Sequence, residues 1–384
     1  MAVLVLLIRK RLGTAGSAEL RAFMTAHRAD GDRFLQITEA HEAGGVTYDG
    51  SLLEGWLGDE TLQSLRASLA RRAASNLMLF REMGDFAALM QSHGFRVIFH
   101  KGLQLGELLF GDLTTRPTRD LDVLIRREDF LPIRAKLLEV GFEEVYHFPL
   151  RHAEYYMGIN REAVFRRRTP EGLMFHVELQ WAPVLPLNDV PYNNDYFFRH
   201  AGKASLAGKT LDTLDPQGHL LIILLHHGVT DLWRSLRHVS DLAFFLQVAG
   251  DRIDWADADR IATEWKFKKN ASIGLALCRD LLGVSLPSEW KMQYDEKALV
   301  NTRHSLLSHP MLRKRMSDPA FLRRQFLLAD DLRSRLDLSM AHLRKFVSPG
   351  LFELENLSLP GYMFPLYYFT KPFRFIFRMV RHEK

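Results

Sequence analysis

The chain has 384 residues, 47% hydrophobic and 25% charged, with a formal charge of +5. That is enough length for two to three domains and an ordinary globular composition, which excludes a disordered or fibrous chain. Cys278 is the only cysteine, so no internal disulfide can form and a reducing, cytoplasmic setting is expected.

The first 93 residues read as helical. Ala2 to Ile8 is apolar but too short to span a bilayer, and Arg9, Lys10 and Arg11 follow it on the wrong side for a secretion signal. Ala18 to Ala26 suits a short helix, and Gly44, Gly45 and Gly50 mark a break. A long helix is expected from an Asp59 cap towards Ser92, with Leu62, Leu65, Leu69, Ala73, Leu77, Phe80 and Met83 inward and Gly94 ending it.

Val97 to Phe99 reads as a short buried strand, ended by Lys101-Gly102. Leu103 to Phe110 has helical apolar spacing, and Gly111 to Arg119 is a polar loop. Asp120 to Ile125 then reads as a second strand. Alternation puts Asp120 and Asp122 on one face and Leu121, Val123 and Ile125 on the other. A helix from about Asp129 to Val140 follows, closed by Gly141, and then a hairpin whose strands, Glu162 to Arg168 and Leu173 to Trp181, flank Thr169 to Gly172. On its second strand His176, Glu178 and Gln180 share a face, which makes Glu178 the candidate third carboxylate. Paired carboxylates beside a glycine turn suit a divalent cation and a phosphate chain.

This pattern resembles the nucleotidyltransferase superfamily. It is closest to a bacterial, largely uncharacterised branch with Lys-Gly at the turn and Arg-x-x-x-Asp-hydrophobic-Asp on the strand, here Lys101-Gly102 and Arg116, Asp120 and Asp122. Gly102-Leu103 departs from the Gly-Ser pair common in the superfamily. The resemblance implies an α+β fold, a mixed sheet flanked by N-terminal helices and a large helical C-terminal region. It implies Mg²⁺ or Mn²⁺ held by Asp120, Asp122 and Glu178, and an NTP as co-substrate, with ATP among the candidates. Gly102, Lys101, Arg116 and Arg119 would meet the phosphates. The activity implied is transfer of a nucleoside monophosphate to an unidentified acceptor, a small molecule, a peptide or a protein hydroxyl. A non-catalytic nucleotide-binding or scaffold protein on the same fold is the alternative.

From Leu214 onward the pattern is helical again. Asp215-Pro216 begins one helix, Asp231 is the candidate cap of the next, and Asp254 begins a third. His227, Asp231, His238 and Asp241 fall near one helical face, where capping and packing are the expected roles against a second metal site. The organisation expected is a helical region over 1–93, a nucleotidyltransferase core over 94–200, a helical domain over 201–346 and an aromatic, basic tail over 347–384. The tail suits either packing on its own helical domain or peripheral contact with an anionic membrane or a partner. A long nucleic acid is not expected, because the core lacks a basic stripe with interleaved aromatics.

Overall fold

The computed structural model describes residues 1–169, 171–188, 190–308, 319–357 and 359–370. Seven strands form one mixed sheet in the order β3-β4-β5-β2-β1-β7-β6. They are β1 (Ile98–Phe99), β2 (Leu121–Leu124), β3 (Glu143–Glu144), β4 (Glu162–Arg168), β5 (Met174–Gln180), β6 (Ala201–Leu206) and β7 (Lys209–Leu214). β2 pairs antiparallel with β1 and parallel with β5, and β4 and β5 form the expected antiparallel hairpin. Helices surround this sheet on both sides in sequence, so the chain is α+β.

Two apolar cores organise the chain. One gathers the sheet, with Val123, Phe165, Val177 and Leu179 against Phe130, Ile133 and Leu137. The other joins the N-terminal helices to the helices after Leu214, through Leu4, Ile8, Leu220, Leu242 and Leu275. The helix Asp59–Ser92 belongs to both. Leu62 and Leu65 enter the helical core, while Leu79, Met83, Phe86 and Met90 enter the sheet core. Its cap is Gly58 rather than Asp59, and Leu77, expected inside, is 52% exposed. The buried stripe instead passes through Asn76, a polar residue that the loop after Gly111 requires.

The hairpin of β6 and β7 lies past the boundary expected at residue 200, and β7 pairs parallel with β1. Ala207 and Gly208 turn it with φ of 44° and 82°, the left-handed pair of a type I′ turn. Asp215 caps the helix Pro216–Ile223 through its Oδ1, which accepts from the Gly218 N–H, as the sequence indicated. That helix widens into a π-helical stretch, Leu224–Thr230. Ser235, not Asp231, caps the helix Leu236–Ala249.

Cys278 is fully buried, and burial raises its thiol well above the ordinary value. Part of the described start of the tail packs on the sheet side: the Phe364 ring centroid lies 4.7 Å from that of Tyr155 and 5.1 Å from that of His152. The aromatic and basic residues from Lys371 to Arg381 lie outside the described residues. No helix among the described residues is long and apolar enough to cross a membrane.

Candidate active site

The site is built where β2 lies beside β5. Their parallel register sets Asp122 opposite Glu178 and Leu124 opposite Gln180. Neighbouring strands are roughly 4.8 Å apart, so the two carboxylates share a face at short range. Asp120 sits one residue before β2, on the same side by alternation. The β4–β5 register adds a residue that sequence reasoning missed. It sets Glu162 opposite Gln180 and Val164 opposite Glu178, which makes Glu162 a fourth carboxylate on this face.

These acids are unequally compensated. Lys101 Nζ is 2.6 Å from Asp122 Oδ1, and Gln180 Nε2 donates to the same oxygen at 2.8 Å and to Glu178 Oε2 at 2.9 Å. Arg161 Nη2 is 2.7 Å from Glu162 Oε2. Asp120 makes no ion pair or side-chain hydrogen bond among the described residues. Burial, then Asp122, raises its carboxyl above the usual range. Burial, then Glu162, Asp122 and Asp120, raises Glu178 further still. Asp122 moves the other way: burial opposes its charge, but Lys101 overrides that and holds it low. Asp122 is thus paired with a lysine and Glu162 with an arginine, while Asp120 and Glu178 have no ion-pair partner among the described residues.

The turn before the helix Gly102–Phe110 is unusual. Lys101 has φ of 58°, rare for a residue with a side chain, and Gly102 follows at 46°. A Cβ on Gly102 would lie 3.2 Å from Thr118 Cγ2, so the glycine lets the polar loop close over the helix start. Thr118 Oγ1 is buried there without a hydrogen-bond partner. Lys101 is itself buried, and its ammonium group is engaged by Asp122.

The two arginines expected near phosphate are placed differently. Arg116 is buried, its Nε and Nη2 each 3.1 Å from Asp241 Oδ2, and its Nη1 donates to the Gly102 carbonyl at 3.2 Å. Arg119 is mostly exposed and lies 2.9 Å from Glu42, which also pairs with Arg237 at 2.8 Å. Asn76 fixes the intervening loop. Its Nδ2 donates to the Leu113 and Arg116 carbonyls at 2.6 and 2.8 Å, and its Oδ1 accepts from the Thr118 N–H at 3.2 Å.

His227, Asp231, His238 and Asp241 do converge, beyond the capping and packing expected of them. His227 Nε2 is 3.0 Å from Asp241 Oδ2, His238 Nε2 is 3.6 Å from Asp231 Oδ2, and the two imidazoles stack at 4.6 Å. Asp241 therefore joins this cluster to Arg116 and the glycine turn.

No curated protein matches the chain. Among solved structures it is similar to an antigenic nucleotidyltransferase-like protein from Paracoccidioides brasiliensis, at 16% identity and a TM-score of 0.35, over 55% of this chain and 95% of that one. The family model described as "Uncharacterised nucleotidyltransferase" matches residues 27–283, which contain the glycine turn, the four carboxylates and the His227–Asp241 pair. The chain belongs to this uncharacterised nucleotidyltransferase family.

Proposed function

We propose that the protein moves a nucleoside monophosphate from an NTP to an acceptor hydroxyl, releasing pyrophosphate, with a divalent cation held by Asp120, Asp122 and Glu178. The acceptor is a small molecule, a peptide or a protein side chain. The observation that carries this reading is the register that sets Asp122 opposite Glu178, with Asp120 at the lip and too little positive charge around them. An all-oxygen donor set of this kind suits Mg²⁺ or Mn²⁺. When bound, the cation neutralises charge on the reacting phosphate oxygens.

The protein's own groups do the rest. Lys101 and Gln180 both engage Oδ1 of Asp122, which leaves Oδ2 for a ligand. Gln180 also holds Glu178 through Oε2, so the two acids keep a fixed spacing. Glu178, held by Gln180 on the carboxylate face, accepts the proton of the attacking hydroxyl. The N-terminus of the helix Gly102–Phe110 offers backbone N–H groups to the phosphates, and the Thr118 hydroxyl beside it supplies one more donor. Arg116 acts one step back, holding the Gly102 carbonyl.

The test is calorimetric titration of non-hydrolysable analogues of the four NTPs, with Mg²⁺, into the wild type and an Asp120→Ala, Asp122→Ala double variant. Metal-dependent binding that the variant loses supports the site, and pyrophosphate release then screens acceptors. A folded wild type that binds no nucleotide overturns the reading. Binding without turnover on any acceptor returns the site to a non-catalytic, nucleotide-binding role.

A further inference from the structure

We propose that His226, His227 and Asp231 form a second cation site, for a zinc-type transition-metal dication, on donors other than the carboxylates of the β2–β5 face. The donor spacing is the first reason. Two ligands about 2.05 Å from a tetrahedral zinc lie about 3.3 Å apart. His226 Nδ1 is 3.4 Å from His227 Nδ1 and 3.4 Å from Asp231 Oδ2. One donor atom from each of the three residues lies within 4.8 Å of the others. Two imidazole nitrogens that face each other at this distance need a proton or a cation between them.

The outer partners are the second reason. Imidazoles that bind metals generally give their other nitrogen to a carboxylate or carbonyl, which fixes the ring and its tautomer. His227 does so: Nε2 is 3.0 Å from Asp241 Oδ2, which turns the Nδ1 lone pair towards His226. Asp231 is oriented in the same manner. Arg234 Nη2 lies 3.3 Å from its Oδ1, while Oδ2 faces His226 and, at 3.6 Å, His238. Each of these two donors therefore has a partner on the side away from the cluster.

The backbone is the third reason. Both histidines lie in the π-helical stretch, a rare geometry that concentrates at functional sites. Leu232 and Trp233 directly after Asp231 both have φ of 53°, a strained region for side-chain-bearing residues. The strain is held in place by Trp233, whose Nε1 donates to the backbone and side-chain oxygens of Asn270 at 3.0 Å each, and by Asn270, whose Nδ2 donates to the Gly228 carbonyl at 3.1 Å. A Cβ on Gly228 would collide with Asn270 Oδ1, and one on Gly274 with the Trp233 ring. The segment is thus fixed by packing, with the donors already in place for a ligand.

Two imidazoles and one carboxylate favour Zn²⁺ and its neighbours over Mg²⁺, the reverse of the all-oxygen β2–β5 face. Three protein ligands leave a fourth position for water, and His226 is only half-buried, which gives a cation a way in. Because Asp241 serves both His227 and Arg116, the cluster and the Gly102 turn share one anchor.

The test uses full-length, tag-free protein, stripped with a chelator and titrated with Zn²⁺, and with Co²⁺ as a spectroscopic reporter. The wild type is expected to bind one equivalent with imidazole-type Co²⁺ absorption. Asp120→Asn, Asp122→Asn protein should keep that signal. His226→Ala should weaken binding at least 100-fold at unchanged circular dichroism. Should that variant not fold, His226→Gln serves in its place. A wild type that binds no more Zn²⁺ than the His226 variant overturns the proposal, as does a Zn²⁺ signal that disappears with Asp120 and Asp122 instead.

Discussion

Arg116 separates two readings of this site. The sequence pattern offers it to the triphosphate, whereas the structure commits it to Asp241 and to the Gly102 carbonyl. Arg116 is 6% exposed and Asp241 1%. Burial works against the charge on Asp241, yet Arg116 and His227 hold its carboxyl far below the usual range. Breaking such a buried pair from one side strands the other charge, at a cost of about 3–5 kcal/mol. Arg116→Met and Asp241→Leu are therefore each expected to lose that amount in urea unfolding followed by circular dichroism. The double variant removes both charges and leaves the His227 Nε2–H without this acceptor, a cost of about 1–3 kcal/mol, while the Gly102 carbonyl loses its donor in Arg116→Met and in the double variant alike and cancels from the cycle. The cycle should thus show a coupling of roughly 3 kcal/mol or more. Were Arg116→Met instead to cost under about 1 kcal/mol and weaken nucleotide binding tenfold, the arginine would be a phosphate ligand and this reasoning would fail.

Three further outcomes follow from the same geometry. Glu178→Gln removes one of four crowded carboxylates, so metal-free stability should hold or rise while turnover falls at least about 100-fold, read by melting and by pyrophosphate release. Gly102→Ala puts a Cβ at φ of 46° and 3.2 Å from Thr118 Cγ2. It should cost about 1–2 kcal/mol and weaken nucleotide binding, as the melting temperature and calorimetry will show. His41 and His219 are buried, and burial lowers each from the ordinary 6.5 to about 4. Between those values the unfolded chain binds protons that the folded chain refuses, so stability rises with pH across that window and is lost as pH falls through it. Each histidine contributes on the order of 3 kcal/mol to that loss. His41 Nδ1 accepts from the Leu236 N–H, so His41→Asn keeps an acceptor and should flatten the acid side of a stability–pH curve.

Local signals carried much of the fold and the core of the candidate site. The Asp120-Leu121-Asp122 alternation, the strands Glu162 to Arg168 and Leu173 to Trp181, and the Asp215-Pro216 cap are short-range features, and the structure has β2, the β4–β5 pairing and the capped helix in place. Glu162 was within reach, because the hairpin turn fixes the register that sets it opposite Gln180. The hairpin of β6 and β7 was not, since β6 is mostly exposed and lacks an apolar alternation, and alanine is an uncommon residue for a left-handed turn position. The partners of Arg116 were also beyond reach. Asp241 is remote in sequence, and a helical wheel shows only that it shares a face with His238, not that an arginine from another element enters there. Asn76 is buried where Leu77 was expected, because a loop with backbone groups to satisfy, invisible to a hydrophobic pattern, decides which face of the helix is buried.

Asn76 gives that last point an energetic form. It lies in the helix Asp59–Ser92, between the stretch in the helical core and the stretch in the sheet core, and it is fully buried. Its amide satisfies the carbonyls of Leu113 and Arg116 and the N–H of Thr118, three groups of the loop that delivers Asp120 to β2. Asn76→Leu keeps the volume and strands all three, each at about 1–3 kcal/mol where water cannot enter, so about 3–5 kcal/mol is expected after partial relaxation. Asn76→Asp keeps the acceptor for Thr118 but turns a carboxylate oxygen on two carbonyls, and it should fare no better. Neither change touches a carboxylate of the β2–β5 face. If the loop sets the position of Asp120, both variants should weaken Mg²⁺-dependent nucleotide binding under conditions where they remain folded. A variant that loses stability yet binds nucleotide as the wild type does would mean that β2 alone holds Asp120 in place and that the loop is only a connection.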